Sequence, residues 1–443
     1  MSTGLLTYRK QESSLMSPDT TEKSLDTIAS QSLGTNGLET NCVKTHTPVT
    51  PPCRPKPLGE GWSTMRSIVY RGAQSLNTHK FGTTLKSHGF NFYSGIPCSF
   101  LKYLINYSIN DCDFVMAASE GDAVAICAGA YLAGKKSVLL CQNSGLANAL
   151  SPLTSLNPIF KIPLLGFVSL RGEPGLDDQP QHEMMGVITT KMLELIGIKW
   201  EFLSTDLSEA KEQVNRANSF IEQNQSFFFV VKKNTFSEIN LKNNKNIENT
   251  SAPSRLEALE VINRLKGDAA VLATTGVTGR ELYEIEDAKS NFYMVGSMGC
   301  VSSIALGAAI ANKPVIAIDG DGALLMRLGA LPTNAAYTQK NMLHILLDNG
   351  AHDSTGGQAT VAHNVNFSDL ALASGYPYSF VIKDLIDLEE KIKNWQEHRE
   401  LTFLHVVIKK GKKPGLGRPK VKPHEVKDRL RKFLGTPPPV RPE

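Results

Sequence analysis

A chain of 443 residues with 41% hydrophobic and 20% charged residues has material for two or three ordinary folded domains. Its net charge of +4 is too small to mark a nucleic-acid binder or a membrane-surface protein, and no uninterrupted apolar run is long enough to span a bilayer. The cysteines at 42, 53, 98, 112, 127, 141 and 300 form no CxxC pair and have no His at zinc spacing. That pattern fits buried thiols in a reducing compartment and argues against a structural zinc or iron–sulfur site.

In chain order, residues 1–65 are rich in Ser, Thr, Pro and Asn and include the run VTPPCRPKP. They predict a disordered N-terminal extension. No apolar signal core occurs there, and Glu12, Asp19, Glu22, Asp26 and Glu39 disfavour an organelle transit peptide. A cytoplasmic location is the expectation. From about residue 80, short apolar runs alternate with helix-like segments: FVMAAS (114–119), SVLLCQ (137–142), IPLLGFVSL (162–170) and SFFFVVKK (226–233). Such alternation predicts a parallel sheet covered on both faces. A polar stretch within 236–253 reads as a linker, and the alternation then restarts. The later runs are AAVLATT (269–275), FYMVGSM (292–298), PVIAID (314–319), LHILLDN (343–349) and LTFLHVVIKK (401–410). The fold expectation is therefore α/β, with two doubly wound parallel-sheet domains at 66–235 and 254–435 and a short tail at 436–443.

The two halves echo each other. AICAGAYLAGKKSVLLCQNSGLANAL in the first answers SIALGAAIANKPVIAIDGDGALLMRLGAL in the second. With one gap, Gly129 matches Gly307, Ser144 matches Asp321 and Gly145 matches Gly322. Only the second copy carries acids at its strand end, so only that copy is expected to hold a metal.

Why place DGDG at the end of a buried strand? For a lone DG, a tight turn with an Asp helix cap is the better explanation. However, carboxyl ends of parallel strands are where α/β sheets bind ligands, and a helix start there offers free N–H groups to an anion. Glycines at 320 and 322 let the backbone approach a phosphate. Mg²⁺ wants six oxygens, so Asp321 alone is insufficient. The neighbouring strand LHILLDNG supplies Asn349, with a backbone carbonyl just beyond at Ala351, and phosphate oxygens with water would complete the shell.

Gly320-Asp321-Gly322 followed at about 25 residues by Asn349 resembles the cofactor motif of thiamin-diphosphate enzymes. The resemblance implies thiamin diphosphate and Mg²⁺ as cofactors, with Gly320, Asp321, Gly322, Ala323 and Asn349 around the diphosphate. It implies that Glu120, in MAASEGDAVAICAGA, protonates the aminopyrimidine ring, and that Gly296, Ser297 and Met298 of the GSMG turn bend the cofactor. Gly95, Ile96 and Pro97, in FYSGIPCSFLK, are carried over as further cofactor contacts. Because Glu120 and Asp321 lie in different domains, a homodimer or higher oligomer with sites at the subunit interface is the expectation.

The order of domains, with no third domain between them, is similar to the family of phosphonopyruvate decarboxylase and its relative sulfopyruvate decarboxylase. The likeness covers roughly 80–435 and rests also on QNSGLANALSPLTSL, RGEPGLDDQPQH, TGRELYE, NGAHDSTGGQAT and LGRP. It implies a carbon–carbon lyase converting 3-phosphonopyruvate to 2-phosphonoacetaldehyde and CO₂ in phosphonate biosynthesis. Sulfopyruvate decarboxylation, or a carboligase passing the same intermediate to an aldehyde, is the alternative. One departure is Gln179, where the family pattern has an acid. For an anionic substrate the candidates are Arg171, Gln181, His182, Ser354 and Arg418. Proton transfer is assigned to His352 or His182, and His352, Asp353 and Ser354 are expected to face the thiazolium. The segment KVKPHEVKDRLRKFL reads as a solvated basic helix.

Overall fold

Short, continuously apolar segments bounded by Gly, Asn and Lys become central strands because both of their faces can be covered by helices. The structure, a computed structural model, describes residues 75–242 and 251–436. The N-terminal extension, the middle of the linker and nearly all of the C-terminal tail lie outside the described residues. The first sheet contains β1 (Phe90–Gly95), β2 (Asp113–Met116), β3 (Lys136–Gln142), β4 (Leu165–Ser169), β5 (Lys199–Phe202) and β6 (Phe227–Val231). The second contains β7 (Ala270–Ala273), β8 (Asn291–Tyr293), β9 (Val315–Gly320), β10 (Met342–Asp348), β11 (Tyr378–Ile382) and β12 (Thr402–Val407).

The first sheet runs β2-β1-β3-β4-β6-β5 and the second, read from its far edge, β8-β7-β9-β10-β12-β11. The second order is the first with six added to every strand number, and every recorded pairing within these sheets is parallel. Identical topology supports the internal echo seen in the sequence. In each sheet the chain reverses its direction of travel between the first and third strands, which opens a crevice beyond their carboxyl ends. β4 and β6 are buried at every position, as their uninterrupted apolar sequences require. The edge strands β5 and β11 are half-exposed and mixed in composition, so periodicity does not reveal them.

Two segments differ from expectation. Residues 236–242 do not hang free: Phe236 bridges to Leu76, and Asn106 Nδ2 donates to the Ile239 carbonyl at 2.8 Å. Asn110 Oδ1 accepts from Lys242 N at 2.8 Å. The helix Pro423–Phe433 is mostly solvated, as its charges predict, yet it is docked. Its Val426 is buried, and Arg429 pairs with Asp287 and lies 5.8 Å from the centre of the Tyr293 ring. Among the described residues, no helix is long and apolar enough to cross a membrane.

Candidate functional site

The carboxyl ends of both sheets contribute to one cavity of about 1100 Å³. Its lining includes Ile96, Pro97, Glu120, Gly296, Ser297 and Met298 together with Gly320, Asp321, Gly322, Ala323, Asn349 and Ala351. It also includes Arg171, Gln181, His182, His352, Ser354 and Arg418. Of the sequence candidates only Gly95 is absent from the lining. It ends β1, and a Cβ there would overlap the Leu140 carbonyl, so its glycine identity is explained by strand packing. One chain brings Glu120 and Asp321 to the same cavity. The two sheets of a single chain both present strand ends to it.

On the second-half side, β9 ends at Gly320 and Asp321 opens the following helix. The Asp321 carboxylate is 3% exposed. Burial, and then the charge of Asp348, push its pKa up to about 7, while a hydrogen bond from Thr360 Oγ1 at 2.5 Å opposes the shift. A buried carboxylate so poorly compensated fits a cation site. Asn349, directly after β10, is 8% exposed; its Oδ1 accepts from Ala351 N at 3.1 Å. Asp321, Asn349 and the Ala351 backbone could thus hold a divalent ion together with diphosphate oxygens. Gly322 is a close approach: a Cβ would sit 2.8 Å from His352 Cε1 and 3.3 Å from Met298 Cε. His352 and Met298 therefore flank the same turn, and burial lowers the His352 pKa to about 4.

On the first-half side, Glu120 is the first residue of the helix Glu120–Leu132, with Ser119 as its N-cap. It is 4% exposed and accepts from Asn148 Nδ2 at 2.9 Å. A Cβ on Gly145 would overlap the Glu120 carboxylate, so glycine is needed there. Asn148 Oδ1 in turn accepts from Arg327 Nη2 at 3.4 Å, which spans the two halves. The arrangement can present one fixed carboxyl group into the cavity.

The anion candidates divide. Arg171 forms a bidentate pair with Asp178, Nε–Oδ2 at 2.7 Å and Nη2–Oδ1 at 2.5 Å. Burial opposes it, but Arg171 and the Gln179 and Gly172 backbone N–H groups hold the Asp178 carboxyl well below its usual range. Arg171 is thus already matched by Asp178 and staples the loop while lining the cavity, and its Nη1 donates to Ser99 Oγ at 3.1 Å. Arg418 meets an amide instead: with its oxygen turned to the guanidinium, the Gln179 carboxamide would accept from Arg418 Nη2 at 2.8 Å and Nε at 3.0 Å. His182 is 5% exposed, its Nδ1 has no hydrogen-bond partner, and burial followed by Arg171 lowers its pKa to about 4. Gln181 lies against Gly296, linking this loop to the GSMG turn. Ser354 reaches Gly276, where a Cβ would lie 2.7 Å from its Oγ. Asp353, expected to face the thiazolium, is instead turned to Arg255 and Asn349.

Sequence reasoning missed Asn148, Thr360, Arg327 and Arg280. Arg280 Nε donates to the Gly417 carbonyl at 2.6 Å and Nη2 to that of Leu416, holding the segment that carries Arg418. Its place in TGRELYE was the only available signal. Asn148, Thr360 and Arg327 likewise lie in the quoted stretches QNSGLANALSPLTSL, NGAHDSTGGQAT and DGDGALLMRLGAL, but their partners are far off in sequence.

Residues 275–406 match the family model for the thiamine pyrophosphate enzyme C-terminal TPP-binding domain. The chain is 38% identical over 369 residues to the phosphonopyruvate decarboxylase of Streptomyces viridochromogenes, covering 79% of this chain and 93% of the relative. It is 31% identical over 352 residues to the sulfopyruvate decarboxylase of Methanosarcina acetivorans, covering 74% and 90% respectively. A further relative is the sulfopyruvate decarboxylase subunit beta of Methanothermobacter thermautotrophicus, 38% identical over 161 residues, covering 35% of this chain and 83% of the relative.

Proposed function

The chain belongs to the phosphonopyruvate decarboxylase family of thiamin-diphosphate enzymes, and from that membership we propose that it converts 3-phosphonopyruvate to 2-phosphonoacetaldehyde and CO₂. The observation that carries the substrate reading is Arg418, which faces the amide of Gln179 while the other loop arginine is matched by Asp178. A guanidinium left with a neutral partner in a cavity suits a substrate that brings its own negative charge.

Thiamin diphosphate, when bound, supplies the nucleophilic carbon and the electron sink that loss of CO₂ from a 2-oxo acid requires. In this reading Asp321, Asn349 and the Ala351 carbonyl would hold Mg²⁺, and Gly320, Gly322 and Ala323 would let the diphosphate come close to the backbone. Glu120 holds or gives a proton at its carboxyl group, kept in place by Asn148. Ile96, Pro97, Ser297 and Met298 shape the space between the two ends of the cofactor. His352 or His182, both neutral near pH 7 because burial lowers their pKa, moves the proton that replaces the lost carboxylate. Gln181, Ser354 and Arg418 orient the anionic tail.

A homodimer, in the cytoplasm, completes the proposal. Its support is the pair of equivalent helices Glu120–Leu132 and Val301–Ile310, which leave Leu132, Ile304 and Ile310 exposed. Gly129 and Gly307 sit on these helices with open space beside them, leaving room for close helix contact. Sulfopyruvate is the second reading, favoured by the relative from Methanosarcina acetivorans; a sulfonate would use the same arginine.

The test is ³¹P NMR of purified protein with thiamin diphosphate, Mg²⁺ and 3-phosphonopyruvate, with CO₂ release followed in parallel. Stoichiometric appearance of 2-phosphonoacetaldehyde is expected. Turnover of sulfopyruvate but not phosphonopyruvate would overturn the substrate reading.

A further inference from the structure

An asparagine can bind a metal only through its carboxamide oxygen, so something must decide which end of the amide faces the ion. In this chain the amide nitrogen of Asn349 is taken: Nδ2 donates to Asp353 Oδ2 at 2.6 Å. The same oxygen accepts from Arg255 Nη2 at 2.8 Å and from Gly411 N at 3.1 Å. Arg255 is 6% exposed and opens the first helix after the linker. Its Nη1 donates to the Gly411 carbonyl at 2.9 Å and lies 3.7 Å from Glu281 Oε2.

We propose that Asp353 and Arg255 are positioning residues for the metal: Asp353 holds the Asn349 amide nitrogen so that its oxygen is the end offered to the ion, and Arg255 fixes Asp353. This rests on the reading of Asp321 and Asn349 as metal ligands. The physical reasons are direct. A carboxylate accepts and cannot donate near neutral pH, so it can hold only the NH₂ end of the amide. A carboxylate only 12% exposed gains from a cation beside it, and Arg255 is that cation. The shared bonds to Gly411 anchor the segment leading to Arg418, so one ion pair sets both the metal loop and the start of the C-terminal strap. Residues that orient ligands in this way commonly account for about 10–100-fold in metal affinity.

The test is Mn²⁺ binding to the full chain with thiamin diphosphate, read by electron paramagnetic resonance rather than by turnover. Asp353→Ala is expected to weaken Mn²⁺ binding by about 10–100-fold, and Asp353→Asn, which keeps an acceptor oxygen, by less. Arg255→Gln should weaken it and Arg255→Lys should restore most of the loss. Unfolding temperatures of the metal-free variants show whether folding is intact, and the near-isosteric Asp353→Asn stands if Asp353→Ala fails to fold. The inference is overturned if folded Asp353→Ala and Arg255→Gln bind Mn²⁺ as the wild type does while Asp321→Ala does not. If the wild type itself binds none, the metal reading falls first and takes this inference with it.

Discussion

The two halves share one strand order but treat the end of their third strand differently. After β3, the helix Asn143–Ser155 starts with a buried Asn143 whose Nδ2 donates to the Arg171 carbonyl at 2.8 Å and to Thr189 Oγ1 at 3.1 Å. That turn is closed by groups of its own half. After β9, the first residue of the following helix is Asp321, in a buried site with one side-chain donor, Thr360, and the charge of Asp348 nearby. The first turn carries no buried acid, whereas the second buries one with a single side-chain donor. The same topology therefore carries two different tasks, and side chains at strand ends, not the fold, decide which.

Exchanging the tasks should be costly in distinct ways. Glu120→Gln removes the proton carried by the first half, so kcat should fall by about 10²–10⁴-fold. Cofactor affinity, measured by calorimetry, should change little if, as proposed, the diphosphate is held by the other half. Asp321→Ala should do the reverse and lower the affinity for thiamin diphosphate with Mg²⁺ by more than the roughly 100-fold typical of supporting residues. Arg418→Gln should raise KM for the phosphonate substrate by about 10–100-fold, the value of one charge-assisted contact, with kcat nearly unchanged. Ile304→Asp should shift sedimentation from dimer to monomer without touching the cavity.

The smallest effect is a pH slope. The folded Asp321 pKa is raised to about 7, so the metal-free protein binds a proton at Asp321 that the unfolded chain releases nearer pH 4. Its contribution to stability is therefore largest at low pH and falls as pH rises from about 4 to about 7. His182 and His352, lowered to about 4, act with the opposite sign between about 4 and 6.5. Comparing wild type with Asp321→Asn in thermal melts isolates the Asp321 part: the variant should show the steeper rise with pH. Identical profiles would mean that burial at Asp321 is relieved in solution.

Much of this was legible in the sequence because the relevant signals are local. Gly320, Asp321, Gly322 and Asn349 lie at strand ends that apolar runs announce, and Glu120 lies beside a small-residue helix. Edge strands were not legible, since Lys199–Phe202 and Tyr378–Ile382 are half-solvated and lose the apolar signature. Pairings were not legible either. Whether Arg171 is free or bound to Asp178, and whether Asp353 faces the cofactor or Arg255, depends on loop geometry that residue type does not encode.

The division of labour between the halves is tested most directly by exchange of the thiamin diphosphate C2 proton with deuterium, followed by ¹H NMR after rapid quenching. The wild type with Mg²⁺ should exchange far faster than the free cofactor. Glu120→Gln should bind the cofactor yet exchange it near the free rate. Wild-type exchange in a cofactor-saturated Glu120→Gln protein would contradict the assignment of activation to the first half.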